Sequence, residues 1–174
     1  MRDEWSSASH AYPRQGLDDD LCEQNANNCS VVAKRTFGTT SFLFPGDTEE
    51  EQEELLLNDA DVKKALNADV LKVAHHGSDT SSSPEFLEAV SPTWMVISAG
   101  KKDEGTNKGY KHPRLSTVRN LLAFAGDQTG ARTIDAYDAT KKQWSQLRIW
   151  GRLFVTAKDG TVVLSTDGTD VRKN

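Results

Sequence analysis

At 174 residues, 36% of them hydrophobic and 27% charged, the chain is long enough to fold as one domain around a real core. Lys and Arg total 21 against 26 Asp and Glu, a formal charge of −5. That balance argues against non-specific nucleic-acid binding by the whole surface, which needs a basic face to displace counterions. The opening MRDEWSSASH is polar, with no charged-then-apolar leader, and no segment is long enough to cross a bilayer. A soluble, cytoplasmic protein with no membrane partner is the expectation.

Residues 1–24, with the acidic run Asp18, Asp19 and Asp20, read as a polar tail or linker, and residues 25–174 as the folded domain. Cys22 and Cys29 stand seven apart with no CxxC, which predicts free thiols in a reducing compartment, a disulfide being the alternative. SVVAKRTF and SFLF flank GTT, predicting two strands and a tight hairpin. TEEEQEELLLNDADVKKAL then reads as one helix with an acidic start. DVLKVA (69–74) is short and uniformly apolar, as a buried strand is.

SPEFLEAV predicts a short helix that begins at Ser83 with Pro84 in its first position. WMVISAG (94–100) is the next strand, followed by the polar loop KKDEGTNKGYKH. After Pro113, the spacing of Leu115, Val118, Leu121, Leu122 and Ala125 is helical, and Gly126 ends the helix. The remainder reads as strands: ARTIDAYD, QLRIW, and LFVTAKDGTVVLSTDG, whose central Asp159-Gly160 predicts a hairpin. Helix and strand alternate in the middle and strands gather at the ends, so the class is α/β or α+β with a layered sheet.

Three short stretches at the ends of predicted elements carry residues able to hold a metal: FPGD at Asp47, VAHHGS at His75 and His76, and GYKHP at His112. Imidazole and carboxylate together suit zinc, manganese or iron. Each has a plainer reading. Asp47 could cap the helix that follows, the histidine pair could form a turn, and His112 could be an ordinary loop residue. His10 lies in the tail. Glu49, Glu50, Glu51, Glu53 and Glu54 read as a solvated face near a helix start. Lys101, Lys102, Lys108, Lys111 and Arg114 surround His112 and read as a solvated loop. Trp5, Trp94, Trp144 and Trp150 show no spacing of a stacking platform.

Taken in order, NNCSVVAKRTFGTTSFLFPGD, LKVAHHGSDTSSSPEFLEAVSP, VISAG and YKHP resemble the metallo-β-lactamase-like hydrolase domain of DNA-internalisation competence proteins, over about residues 25–125. The resemblance implies the C-terminal half of an αββα sandwich, a mixed sheet with helices on one face. It implies Asp47 and His76 as ligands of zinc or manganese, with His75 turned toward phosphoryl oxygens. His112 would stand at the rim as a substrate contact or proton donor. Asn27 and Asn28 fall where other branches carry a further histidine ligand, for which an amide is a poor substitute.

The superfamily's His-x-His-x-Asp-His motif has no counterpart in this sequence. A catalytic zinc centre wants three protein ligands and an open position, so the chain alone is expected to hold metal weakly or not at all. A half-fold would also leave one sheet face open, to be covered by a second copy in a homodimer or by a partner chain. Three functions follow: a module that is incomplete alone, a phosphodiester hydrolase completed by a partner or dimer, and a DNA-binding accessory protein.

Overall fold

The structure, a computed structural model, describes residues 9–12, 22, 23 and 25–174. The rest of the 1–24 segment, Trp5 and the acidic run included, lies outside the described residues. Ser9–Tyr12 forms β1 and pairs antiparallel with Val32–Phe37 (β2), which pairs antiparallel with Thr40–Phe44 (β3). Val70–Lys72 (β4), Trp94–Ile97 (β5) and Leu153–Val155 (β8) then join in parallel, giving the order β1-β2-β3-β4-β5-β8. The sheet is mixed, as expected. Arg132–Asp138 (β6) and Gln143–Ile149 (β7) form a separate two-stranded ribbon, and Leu164–Thr166 (β9) pairs with Val171–Lys173 (β10).

The β2–β3 hairpin turns at Gly38-Thr39, where φ of +59° at Gly38 suits glycine and a Cβ would strike the Gly168 carbonyl. The helix expected over residues 48–66 is instead two, Glu50–Asn58 (α1) and Ala60–Ala65 (α2). Asp59 divides them because its carboxylate accepts from the Asp61 and Val62 amides, a cap that starts a new helix. Pro84–Val90 (α3) follows the sequence reading, with the Ser83 hydroxyl accepting from the Phe86 amide. Asn107–Tyr110 (α4) is one turn, and Leu115–Leu122 (α5) buries Leu115, Val118 and Leu121.

The hairpin expected at Asp159-Gly160 is also corrected. Thr156–Asp159 is a helical turn (α6), and β9 pairs with β10 across the later Asp167-Gly168. The Asp159 carboxylate holds that turn, accepting from the Val155 amide at 2.8 Å and meeting Arg132 at 2.7 Å. The cysteine expectation is overturned as well: Cys22 and Cys29 are joined in a disulfide, a bond that persists in oxidising compartments.

Strand alternation sends Leu43, Leu71, Met95, Ile97, Leu153 and Val155 to one face, where they share the core with Leu66, Phe86, Leu87, Val90, Val118 and Leu121. Each fully buried leucine contributes roughly 1.5–3 kcal/mol of burial free energy. The alternate set, Phe42, Phe44, Val70, Trp94, Val96 and Phe154, stands outside that core, and Phe44 is 46% exposed. The C-terminal hairpin leans on this second face, through Thr166 to Thr40 at 2.8 Å and Lys173 over the Phe154 ring, and Arg132 and Arg152 lie over the Phe154 and Trp94 rings. Among the described residues no helix is long and apolar enough to cross a membrane.

Candidate functional site

The carboxyl ends of the parallel strands β3, β4 and β5 open at one edge of the sheet, where α/β proteins usually place their sites. β3 runs out into Pro45-Gly46-Asp47, β4 into Val73-Ala74-His75-His76, and β5 into Ser98-Ala99-Gly100. With Asn27, Thr106, Asn107, Tyr110 and His112 they line one cavity of about 650 Å³. All four residues singled out in the sequence therefore meet in one cleft.

Asp47 does not cap α1. That position belongs to Glu49, and the Thr48 hydroxyl donates to the Pro45 carbonyl. The Asp47 amide donates to Ser30 Oγ at 3.0 Å, which fixes the backbone and leaves the carboxylate facing the cleft. Its Oδ1 lies 3.6 Å from His76 Nε2 and 4.0 Å from Lys72 Nζ. Burial holds the Lys72 ammonium below the ordinary lysine range, and the Asp47 charge partly opposes this.

His75 and His76 both have left-handed backbones, with φ of +43° and +54°. Such a conformation costs on the order of 1–2 kcal/mol at a non-glycine residue. The tertiary structure enforces it: the His75 amide donates to the Gly46 carbonyl at 3.1 Å, and Ser78 closes the turn back on His75. Gly77 follows at φ +80°, packed so closely that a Cβ would sit 3.0 Å from Pro113. The result aims both rings into the cleft.

Ring chemistry then follows from partners. His76 Nδ1 lies 2.7 Å from the Ser98 carbonyl, which can only accept, so Nδ1 carries the proton and Nε2 presents a lone pair toward Asp47. That is how metal-ligating histidines are usually held. His75 Nδ1 lies 3.1 Å from Glu49 Oε1, off the line of a good hydrogen bond. The Asn25 and Asn27 amides donate to the same carboxylate at 2.7 and 2.9 Å.

The reading of the glutamates as a solvated face is thus corrected at two positions. Glu49 stands behind the wall of the site against Asn27 and His75, and Glu53 is fully buried. Spacing along the helix could not show this, because their partners come from residues 25–27, 75 and 82–83.

His112 is 7% exposed, its ring 5.5 Å from that of His75 and stacked on Tyr110. Asn107 clamps it, accepting from the His112 amide at 2.7 Å while its own amide donates to the His112 and Gly100 carbonyls. Burial first, then Arg114, His75 and His76, lower its pKa to about 4. The ring is neutral at pH 7, and its Nδ1 is buried without a hydrogen-bond partner. Asn107 was missed in the sequence, where a lone Asn in a polar loop carries no signal.

Asp47 and His76 fit as two ligands of a divalent cation. They do not make a complete centre: among the described residues no group of three His, Cys, Asp or Glu side chains is placed to hold a metal ion.

ComE operon protein 3 of Bacillus subtilis is 39% identical to this chain over 95 residues, 55% of the chain and 11% of that protein. Competence protein ComA of Neisseria gonorrhoeae is 37% identical over 113 residues, 65% of the chain and 14% of the relative. This chain is related to competence proteins. Recombination protein 2 of Haemophilus influenzae is 31% identical over 100 residues, 58% of the chain and 11% of that protein. The matched region thus spans only a small part of each relative's length. No protein-family model matches the chain, and no solved structure matches it.

Proposed function

We propose that this chain is the phosphodiester-facing half of a metallo-β-lactamase-like hydrolase module that serves DNA uptake and is catalytically incomplete alone. The observation that carries the reading is the meeting of Asp47, His75, His76 and His112 in one cavity, with His76 Nε2 presented beside the Asp47 carboxylate. The relation to competence proteins supplies the biological setting.

A divalent zinc or manganese ion in such a centre would supply Lewis acidity and an activated water. This chain's share is narrower. Asp47 and His76 would hold one side of the ion, and Ser98 keeps the His76 tautomer fixed. His75, beside Glu49, faces the space where phosphoryl oxygens would lie. His112, neutral at pH 7, offers a substrate oxygen a hydrogen bond rather than a cation, which makes it a substrate contact before a proton donor.

The missing ligands come from a second polypeptide segment packed on the open sheet face of Phe42, Phe44, Trp94 and Val96. When the chain is alone, a second copy covers that face, sheet to sheet.

Bis(4-nitrophenyl) phosphate with added manganese or zinc tests the incompleteness. The isolated chain is expected to give no hydrolysis above the metal alone, and light scattering of the same sample is expected to give a dimer mass. Turnover abolished by Asp47→Ala would mean that the site is complete and the reading of a half-centre wrong. A monomer mass would assign the open face to another polypeptide.

A further inference from the structure

A second cavity of about 390 Å³ adjoins the cleft and shares Gly100 and His112 with it. His112 is the wall between the two. Lys101 and Lys102, on the loop after β5, and Lys158, on α6, line this second cavity with exposed side chains, and none of the three pairs with a carboxylate among the described residues. Unneutralised ammonium groups around a concavity favour an anionic ligand.

The far wall is the β6–β7 ribbon, which contributes Trp144 and Gln146. Trp144 is half-buried and held on two sides: its Nε1 donates to Asp103 Oδ1 at 3.0 Å, and it meets Tyr137 edge-on at 5.6 Å. The sequence reading of Trp144 as simple packing is incomplete, because the ribbon fold carries it to the cavity. In the adjoining cleft Tyr110 is 61% exposed and stacked on His112. A tryptophan beside three lysines in one concavity matches what a single nucleic-acid strand requires, a base to stack and phosphates to neutralise.

We propose that the second cavity is a strand-binding groove, in which a single-stranded nucleic acid running out of the cleft past His112 stacks a base on Trp144 and sets its phosphates against Lys101, Lys102 and Lys158. This deepens the phosphodiester reading and rests on it. Glu104 and Asp135 also line the groove, so charge alone binds weakly and stacking carries a large part of the affinity. A whole-chain charge of −5 excludes a basic surface, not a groove of this kind.

The test is fluorescence anisotropy of a labelled oligothymidylate of about twelve nucleotides, long enough for one such site, titrated with the full chain in EDTA at several salt concentrations. Trp144→Ala is expected to weaken binding about tenfold or more, with Trp144→Phe within about threefold of the wild type because it keeps a ring for stacking. Replacing Lys101, Lys102 and Lys158 together by alanine is expected to weaken binding similarly. It also flattens the salt dependence by a slope of about two, the release expected from three phosphates on a single strand. Melting curves confirm that each variant is folded.

Binding that survives both groove substitutions, or no binding by the wild type, overturns the groove and leaves the cleft reading to its own test. Groove-dependent binding that is unchanged in Asp47→Ala and His76→Ala leaves the groove standing whatever the cleft's own hydrolysis and metal tests give.

Discussion

Glu53→Ala is expected to lower the unfolding free energy by about 3 kcal/mol, the cost of orphaning buried donors next to a vacated charge site. Glu53 lies on α1, is fully buried, and accepts from the Ser82 amide at 2.6 Å and the Ser83 amide at 2.9 Å. Burial raises its pKa above the ordinary glutamate range, while those same hydrogen bonds pull it back down. Ser82 sits at φ +59°, and Ser83 caps α3, so both amides belong to a backbone that cannot turn to find other acceptors.

The loop Glu53 anchors is the one that leaves the histidine pair; its Ser81 Oγ donates to the Thr48 carbonyl at 2.8 Å, and its Thr80 carbonyl accepts from the Glu50 amide of α1 at 2.9 Å. Glu53→Gln keeps one acceptor oxygen and is expected to lose only about 1 kcal/mol. Urea denaturation of the three proteins measures this, provided that the slope with denaturant is unchanged. A loss well below 1 kcal/mol in the alanine variant would mean that the loop does not depend on this carboxylate.

The second large effect is on pH dependence. In the folded chain His112 binds its proton only near pH 4, against an ordinary value of 6.5. Between those values the unfolded chain binds more protons than the folded one, so stability rises with pH across that window and is flat above it. Protonation therefore opposes folding, and a shift of this size corresponds to about 3 kcal/mol lost between pH 6.5 and 4.

Other groups titrate in the same range, so the informative quantity is a difference. His112→Phe fills the space without a titrating group, and the stability of the wild type relative to this variant is expected to fall as the solution is acidified through the window. Denaturation at a series of pH values in EDTA gives both curves. Parallel curves would show that His112 is not held neutral by its surroundings.

Much of this fold is legible in the sequence because the relevant signals are local. The β2–β3 hairpin, β4, β5, α3 with its serine cap and the apolar stripe of α5 each rest on neighbours within a few residues. Asp47, His75, His76 and His112 were legible for a similar reason, since each sits directly behind an apolar strand or beside a proline. What escaped depends on distant partners. Glu49 and Glu53 look like surface charge until residues 25–27 and 82–83 fold over them.

Asp59 reads as mid-helix until its cap competes with continuation, and Asp159-Gly160 reads as a hairpin until Arg132 and the Val155 amide claim the aspartate. Trp144 has no helical or strand partner that spacing could reveal. Its place beside the second cavity is set by the ribbon packing on α5.

The central claim is that Asp47 and His76 form one side of a metal centre that this chain cannot finish. Zinc titration of the isolated chain, followed through the histidine ring nitrogens by NMR, tests it most directly. Weak binding is expected, perturbing His76 Nε2 while Nδ1 keeps its proton, and disappearing in Asp47→Ala and His76→Ala with the fold intact. One tightly held zinc per chain that persists in both variants would contradict it, since the metal would then belong to other ligands.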